Sequence, residues 1–161
     1  MSGGSGHSTL AGALLNTDAG VMETIVVGID GSESSQRALD WAANEARLRH
    51  ARLRVVHAWL EPPLAGGYFL APAPYEREAI EEAGQEVLDK AVASIPAGSP
   101  EIAVDALLVH GTPETVLLNH ADQAAMVVVG SRGRGGFTEL VLGSVSRGVV
   151  HHASCPVVVV R

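Results

Sequence analysis

Residues 130 to 146 read GSRGRGGFTELVLGSVS and follow the unbroken apolar run AAMVVV. Gly130, Gly133, Gly135 and Gly136, with Arg132 and Arg134, fall within seven residues of a chain whose one lysine is Lys90. Glycine has no Cβ and accepts positive φ, so successive main-chain N–H groups in such a loop can converge on an anion. Ser144 comes directly after Gly143, where a helix is expected to begin, and adds a hydroxyl and the unbonded N–H groups of a helix N-terminus. Negative charge is favoured there by roughly 0.3 to 1 kcal/mol even when exposed. The chemistry suited to this combination is phosphate binding. Glycines alone also build ordinary surface loops; the arginines, the second Gly-Ser and the strand-end location favour the phosphate.

A second candidate lies early in the chain, where GIDGS places Asp30 immediately after the apolar run TIVVGI. A P-loop would need G-x-x-x-x-G-K-[ST], yet Gly143 runs straight into Ser144 and Lys90 lies in another segment. A dinucleotide fingerprint G-x-G-x-x-G should follow the first strand, and GIDGSESS does not contain it.

The elements that must position these residues alternate in period. Strands are expected at 24–29, 52–59, 101–110, 125–130 and 155–160, and helices at about 32–49, 76–95, 113–123 and 144–153. In the first helix Ala38, Trp41, Ala42, Glu45 and Leu48 form the expected inward stripe, with Ser32 or Ser34 as N-cap. Strands that are apolar throughout imply helices on both faces, hence a doubly wound parallel α/β sheet. In such a sheet ligands sit beyond the carboxyl ends of the strands, where the winding reverses. Residues 1–22, rich in Gly, Ser and Thr, read as a disordered extension or expression remnant, and 23–161 as a single domain.

Composition narrows the partners. A net charge of −7 on 161 residues argues against a general nucleic-acid binder, whose affinity rests on many phosphate contacts from Lys and Arg. One cysteine, Cys155, excludes an intramolecular disulfide and a multi-cysteine metal site, and reads as a small buried hydrophobe. No run reaches the roughly 18 apolar residues of a membrane span. The first basic residue is Arg37, so no basic leader is expected and a cytoplasmic location is. His57 reads as a satisfied core histidine, and His151 and His152, adjacent on a helix, do not share a face for a metal.

The spacing Gly130-x2-Gly133-x9-Gly143-Ser144 resembles the ATP-binding signature of the universal stress protein family. IVVGIDGSESSQRALDWA, VVHAW and GSVSRGVVHHASCPVVVV resemble the same family, and the likeness runs from about Glu23 to Arg161. It implies five parallel strands in the order 3-2-1-4-5, with strands one and four flanking the crevice. Carried over by position, it implies that Gly28, Ile29 and Asp30 line the adenosine side and that the Ala58 backbone meets the adenine edge. Val129 and Gly130 would run along the nucleotide, with Gly133, Gly143, Ser144, Val145 and Ser146 around the phosphates. Arg132 and Arg134 lie outside the glycine signature, and one of them is a candidate contact to the terminal phosphate. The implied cofactor is ATP, with Mg2+ as its companion ion, and cyclic AMP shares the adenosine.

The implied role is regulation by a bound nucleotide, with at most slow hydrolysis. Apart from Asp30 and Glu139 the chain offers no carboxylate to act near a terminal phosphate, and GIDGS does not match the SGG-type loop of the pyrophosphatases of this fold. The loop 60–75, LEPPLAGGYFLAPAPY, reads either as a cover over the nucleotide or as disordered. The closing run VVVV is an apolar edge strand, so a homodimer pairing through 157–160 is expected, as the resemblance also implies.

Overall fold

Valine-rich runs build the sheet of the computed structural model, which describes residues 22–61, 74–96, 102–133 and 142–161. The strands are β1 (Thr24–Ile29), β2 (Arg52–Trp59), β3 (Val104–His110), β4 (Met126–Gly130) and β5 (Val157–Val160). The helices between them are α1 (Glu33–Arg49), α2 (Pro74–Ser94), α3 (Pro113–Ala121) and α4 (Ser144–His152). All pairings are parallel and the order is β3-β2-β1-β4-β5, with Val27 opposite Val55 on one side and Val128 on the other. The winding reverses between β1 and β4, as the resemblance implies. The 1–21 extension, most of the 60–75 loop, and Arg134, Gly135, Gly136 and Glu139 lie outside the described residues.

Alternate residues of each strand feed two cores. Ile25, Val27, Ile29, Leu53, Val55 and Val128 meet α1 and α2 on one face, and Val26, Val56, Val127 and Val129 meet α3 and α4 on the other. Both faces being covered accounts for the absence of polar alternation in β1 and β4; β2 and β3 do carry charged residues, Arg52, Arg54 and Asp105, near their starts.

The inward face of α1 differs from the expected stripe. Leu48 is 78% exposed and Trp41 and Glu45 are half-buried, while Ala38, Leu39, Ala42, Ala43 and Ala46 are buried. α1 lies over β1, β4 and β5, and its alanine face allows the close approach that bulkier side chains would prevent. The helix starts at the Ser32 cap, whose Oγ accepts from Ser35 N at 3.2 Å, and ends at His50 with φ 53°. β3 starts at Val104 instead of Glu101, and β5 at Val157 instead of Cys155, past Pro156, which has no N–H to donate. Cys155 is half-buried against the α3/α4 core, and burial pushes its thiol up from the ordinary value.

On the second face α4 crosses α3 at Gly148. A Cβ there would meet the Glu114 carboxylate, the partly exposed end of a side chain that can swing aside. His152 Nδ1 lies 3.4 Å from Glu114 Oε1 at the same crossing. Among the described residues no helix is long and apolar enough to cross a membrane.

Candidate functional site

Beyond the last residue of β1 the chain turns sharply on Asp30. Its Oδ1 accepts from Ser32 N at 3.0 Å, and its own N–H donates to Ser35 Oγ at 3.3 Å. Ser35 in turn donates to the Ser32 carbonyl at 2.9 Å, so the β1 exit and the first turn of α1 form one hydrogen-bonded unit. The His57 ring donates from Nδ1 to the Ile29 carbonyl at 2.8 Å, which makes it the satisfied histidine the sequence suggests.

The β4 exit is tied down one group at a time. Ser131 N donates to the Val160 carbonyl at 2.7 Å, and the Ser131 carbonyl accepts from Gly143 N at 2.8 Å. The Gly130 carbonyl accepts from Ser146 Oγ at 2.6 Å, and Arg132 N donates to Ser34 Oγ at 3.3 Å. The next residue, Gly133, lies against the carboxylate of Asp30: a Cβ added to it would sit 2.6 Å from Oδ2.

α4 begins beside this loop. Gly143 is its N-cap, at φ −67° and ψ 165°, with no side chain to cap the helix. The first intrahelical bond runs from Arg147 N to the Gly143 carbonyl at 3.0 Å. The N–H groups of Ser144, Val145 and Ser146 therefore precede any intrahelical acceptor. A Cβ on Gly143 would lie 3.8 Å from Gly133 N, so the α4 N-terminus and Gly133 share one corner with Asp30. Main-chain donors, a carboxylate and, at the rim, the exposed Arg132 side chain surround it.

The expected residues separate into two groups. Asp30, Gly133, Gly143, Ser144 and the Val145 N–H come together at this corner. Ala58 adds a main-chain edge: Arg52 N donates to Glu23 O on the β1 side and Trp59 O accepts from Gly111 on the β3 side, so even-numbered β2 residues face β1. β1 pairs only as far as Ile29 opposite His57, which leaves the Ala58 carbonyl pointing past its end.

The others support from behind. Ile29 and Val129 side chains are 7% and 3% exposed within the two cores. A Cβ on Gly28 would sit 2.8 Å from Leu117 Cδ1, and one on Gly130 2.6 Å from Ser34 Oγ and 2.7 Å from the Ser34 carbonyl carbon and oxygen. Ser146, 4% exposed, turns its hydroxyl inward onto Gly130 and away from the corner. The glycines serve by close approach and not by unusual backbone: among the described residues only Gly31, Gly111 and His50 take positive φ.

The sequence reading missed a cluster at the same edge of the sheet. Glu61 Oε2 lies 2.6 Å from His110 Nε2, Arg77 stands 5.4 Å over the Trp59 ring, and that ring meets His110 edge-on at 4.7 Å. The hydrogen bond from His110 holds the Glu61 carboxyl below its ordinary value. The four side chains brace the ends of β2 and β3 against the start of α2. At the other end of the same two strands Asp105 accepts from Arg52 and Arg54 at 3.2 to 3.3 Å. Burial raises its carboxyl, but the two hydrogen bonds and charges outweigh that and hold it below normal. His120, on α3 near Arg54, is held below its ordinary value by burial and then by that charge. Among the described residues no group of three or more His, Cys, Asp or Glu side chains could hold a metal.

A parallel sheet in this order, with its polar corner at the β1/β4 reversal, defines a doubly wound domain of the Rossmann-like class. The model of the Universal stress protein family matches residues 22–161, and the chain belongs to that family. A universal stress protein of Mycolicibacterium smegmatis is 38% identical over 141 residues, covering 85% of this chain and 45% of the relative. The chain thus spans less than half the length of that relative. Among solved structures, a universal stress protein from Archaeoglobus fulgidus superposes with a TM-score of 0.66 at 28% identity, covering 87% of this chain and 98% of the other. A universal stress protein in complex with cAMP gives 0.50 at 28% identity, covering 86% and 96%.

Proposed function

We propose that the β1/β4 corner binds an adenine nucleotide, with ATP the ligand it suits best, and that the protein acts as a nucleotide-dependent regulator in the stress response. One observation carries the reading: Gly133 meets Asp30 beside the uncapped N-terminus of α4. This sets main-chain donors for phosphate next to a carboxylate at the adenosine side. Asp30 would take the ribose or base, the Ala58 carbonyl the adenine edge, and the Gly133, Ser144 and Val145 amides the phosphates, with Arg132 at the terminal one. Mg2+ would be held mainly by phosphate oxygens, as is usual for this ion.

Cyclic AMP is the second reading, favoured by the relative solved in complex with it. The two differ in phosphate count, and three amides plus Arg132 suit a chain of phosphates better than one cyclic diester. The proposed working form is a cytoplasmic homodimer pairing through β5, whose outer edge has no strand beside it among the described residues.

Calorimetric titration of the purified protein with ATP, cyclic AMP and GTP tests the reading, together with mass spectrometry of any nucleotide released by heat. Binding of ATP well ahead of the other two is the expected result; absence of binding by either adenine nucleotide rejects it. At about a hundredfold over its dissociation constant, ATP should stabilise the fold by about 2.7 kcal/mol, a rise of several degrees in Tm.

A further inference from the structure

We infer that Ser34, in the first turn of α1, is the positioning residue of the phosphate corner: it fixes the β4 loop so that Gly133 is the first main-chain donor left for the ligand. The inference rests on the nucleotide reading and adds a residue that touches no nucleotide itself.

Ser32 already caps α1, so the Ser34 hydroxyl is not needed for capping. It is nevertheless buried, 7% exposed, and accepts the Arg132 amide from 98 residues along the chain. On the same side the Gly130 backbone rests on it so closely that no Cβ fits between them. With the Gly130 carbonyl held by Ser146, and Ser131 by Val160 and Gly143, every main-chain polar group from the Gly130 carbonyl to the Arg132 N–H has a named partner. Gly133 N is next along the chain, and it faces the corner shared with Asp30 and α4.

The signature glycines accordingly divide their work. Gly130 makes room for Ser34, Gly133 presents its amide, and Gly143 is the N-cap from which α4 begins beside them. Ser34 also links the two halves of the site, since Asp30 belongs to the same turn of chain that carries it. Loss of its oxygen strands the Arg132 amide and lets the loop shift where the phosphates would sit, while the Asp30 side keeps its own hydrogen bonds through Ser32 and Ser35.

Ser34→Ala removes one oxygen from a helix first turn and adds no atom, so it creates no clash. ATP affinity should fall about three- to tenfold, the weight of one hydrogen bond, while adenosine affinity stays unchanged. Amide exchange of the ligand-free variant should speed up at Arg132 and Gly133 and not in the β1 strand. Equal loss for ATP and adenosine, or unaltered ATP affinity, overturns the inference. If the wild-type protein binds neither ligand, the nucleotide reading itself has failed. Exchange at Arg132 and Gly133 then decides alone: faster exchange in Ser34→Ala sustains the clamp, and unchanged exchange refutes it.

Discussion

Gly133, just beyond β4, lies against Asp30, just beyond β1, with no room for a Cβ between its Cα and Asp30 Oδ2. The two residues meet where the halves of the sheet join, at its reversal point.

Alanine at Gly133 should push the Asp30 carboxylate aside. That carboxylate is the far end of a side chain and Gly133 is exposed, so stability should change by no more than about 0.5 kcal/mol. ATP affinity should fall about tenfold or more, roughly 1.4 kcal/mol. Alanine at Gly130 should do the reverse first, because the new methyl meets Ser34 backbone atoms that cannot swing away. Overpacking of this kind costs about 1 to 3 kcal/mol, read as a lower Tm without ligand. Equal effects of the two substitutions would contradict this division.

Gly143→Asp should separate folding from binding. The position is the N-cap of α4 with extended backbone, and an added Cβ meets nothing closer than 3.6 Å. Aspartate is a favoured N-cap, so the fold should hold or gain a few tenths of a kcal/mol. A negative charge among the phosphate donors should abolish ATP binding by calorimetry, while circular dichroism stays unchanged.

The proposed dimer edge can be blocked without touching the sheet. The carbonyls of Pro156 and Val160 accept from β4, so the backbone groups of Val157 and Val159 point outward. Proline at Val159 would remove one outward N–H and leave the β4 ladder intact, as edge strands tolerate. Sedimentation should show monomer for Val159→Pro and dimer for the unaltered chain.

His120 should make stability depend on pH. Its folded value lies below 6.5, the value it regains on unfolding, so the unfolded chain takes up the proton first as the pH falls. Stability is complete above 6.5 and declines from there down to the folded value. Between about pH 5 and 8, Tm should vary less steeply in His120→Gln than in the parent protein.

Most of the framework could be read from the chain, because β1 is an apolar run between Glu23 and Asp30 and β4 an apolar run that stops at the glycine-rich loop. The α1 stripe could not: Leu48 and Trp41 look like core residues until the helix is seen to approach three strands through its alanines. Asp30, Gly133, Gly143 and Ser144 were legible from type and spacing. Ser34 was not, for its partner lies 98 residues away and its burial depends on the absence of a side chain at Gly130. The adjacent small residues of SESS were the only hint, and they suggest a cap before they suggest a clamp.

α4 meets α3 at the Gly148–Glu114 crossing, about one turn from the helix mouth. At 1.5 Å per residue, Ser144 stands roughly 6 Å along the axis from Gly148, so a tilt of about 10° there swings the helix mouth by about 1 Å. That distance spans the difference between a good hydrogen bond and a lost one. A methyl at 148 can be accommodated while the partly exposed Glu114 carboxylate swings aside; a side chain too bulky for that, though remote from any phosphate, would tilt the helix and misaim the amides.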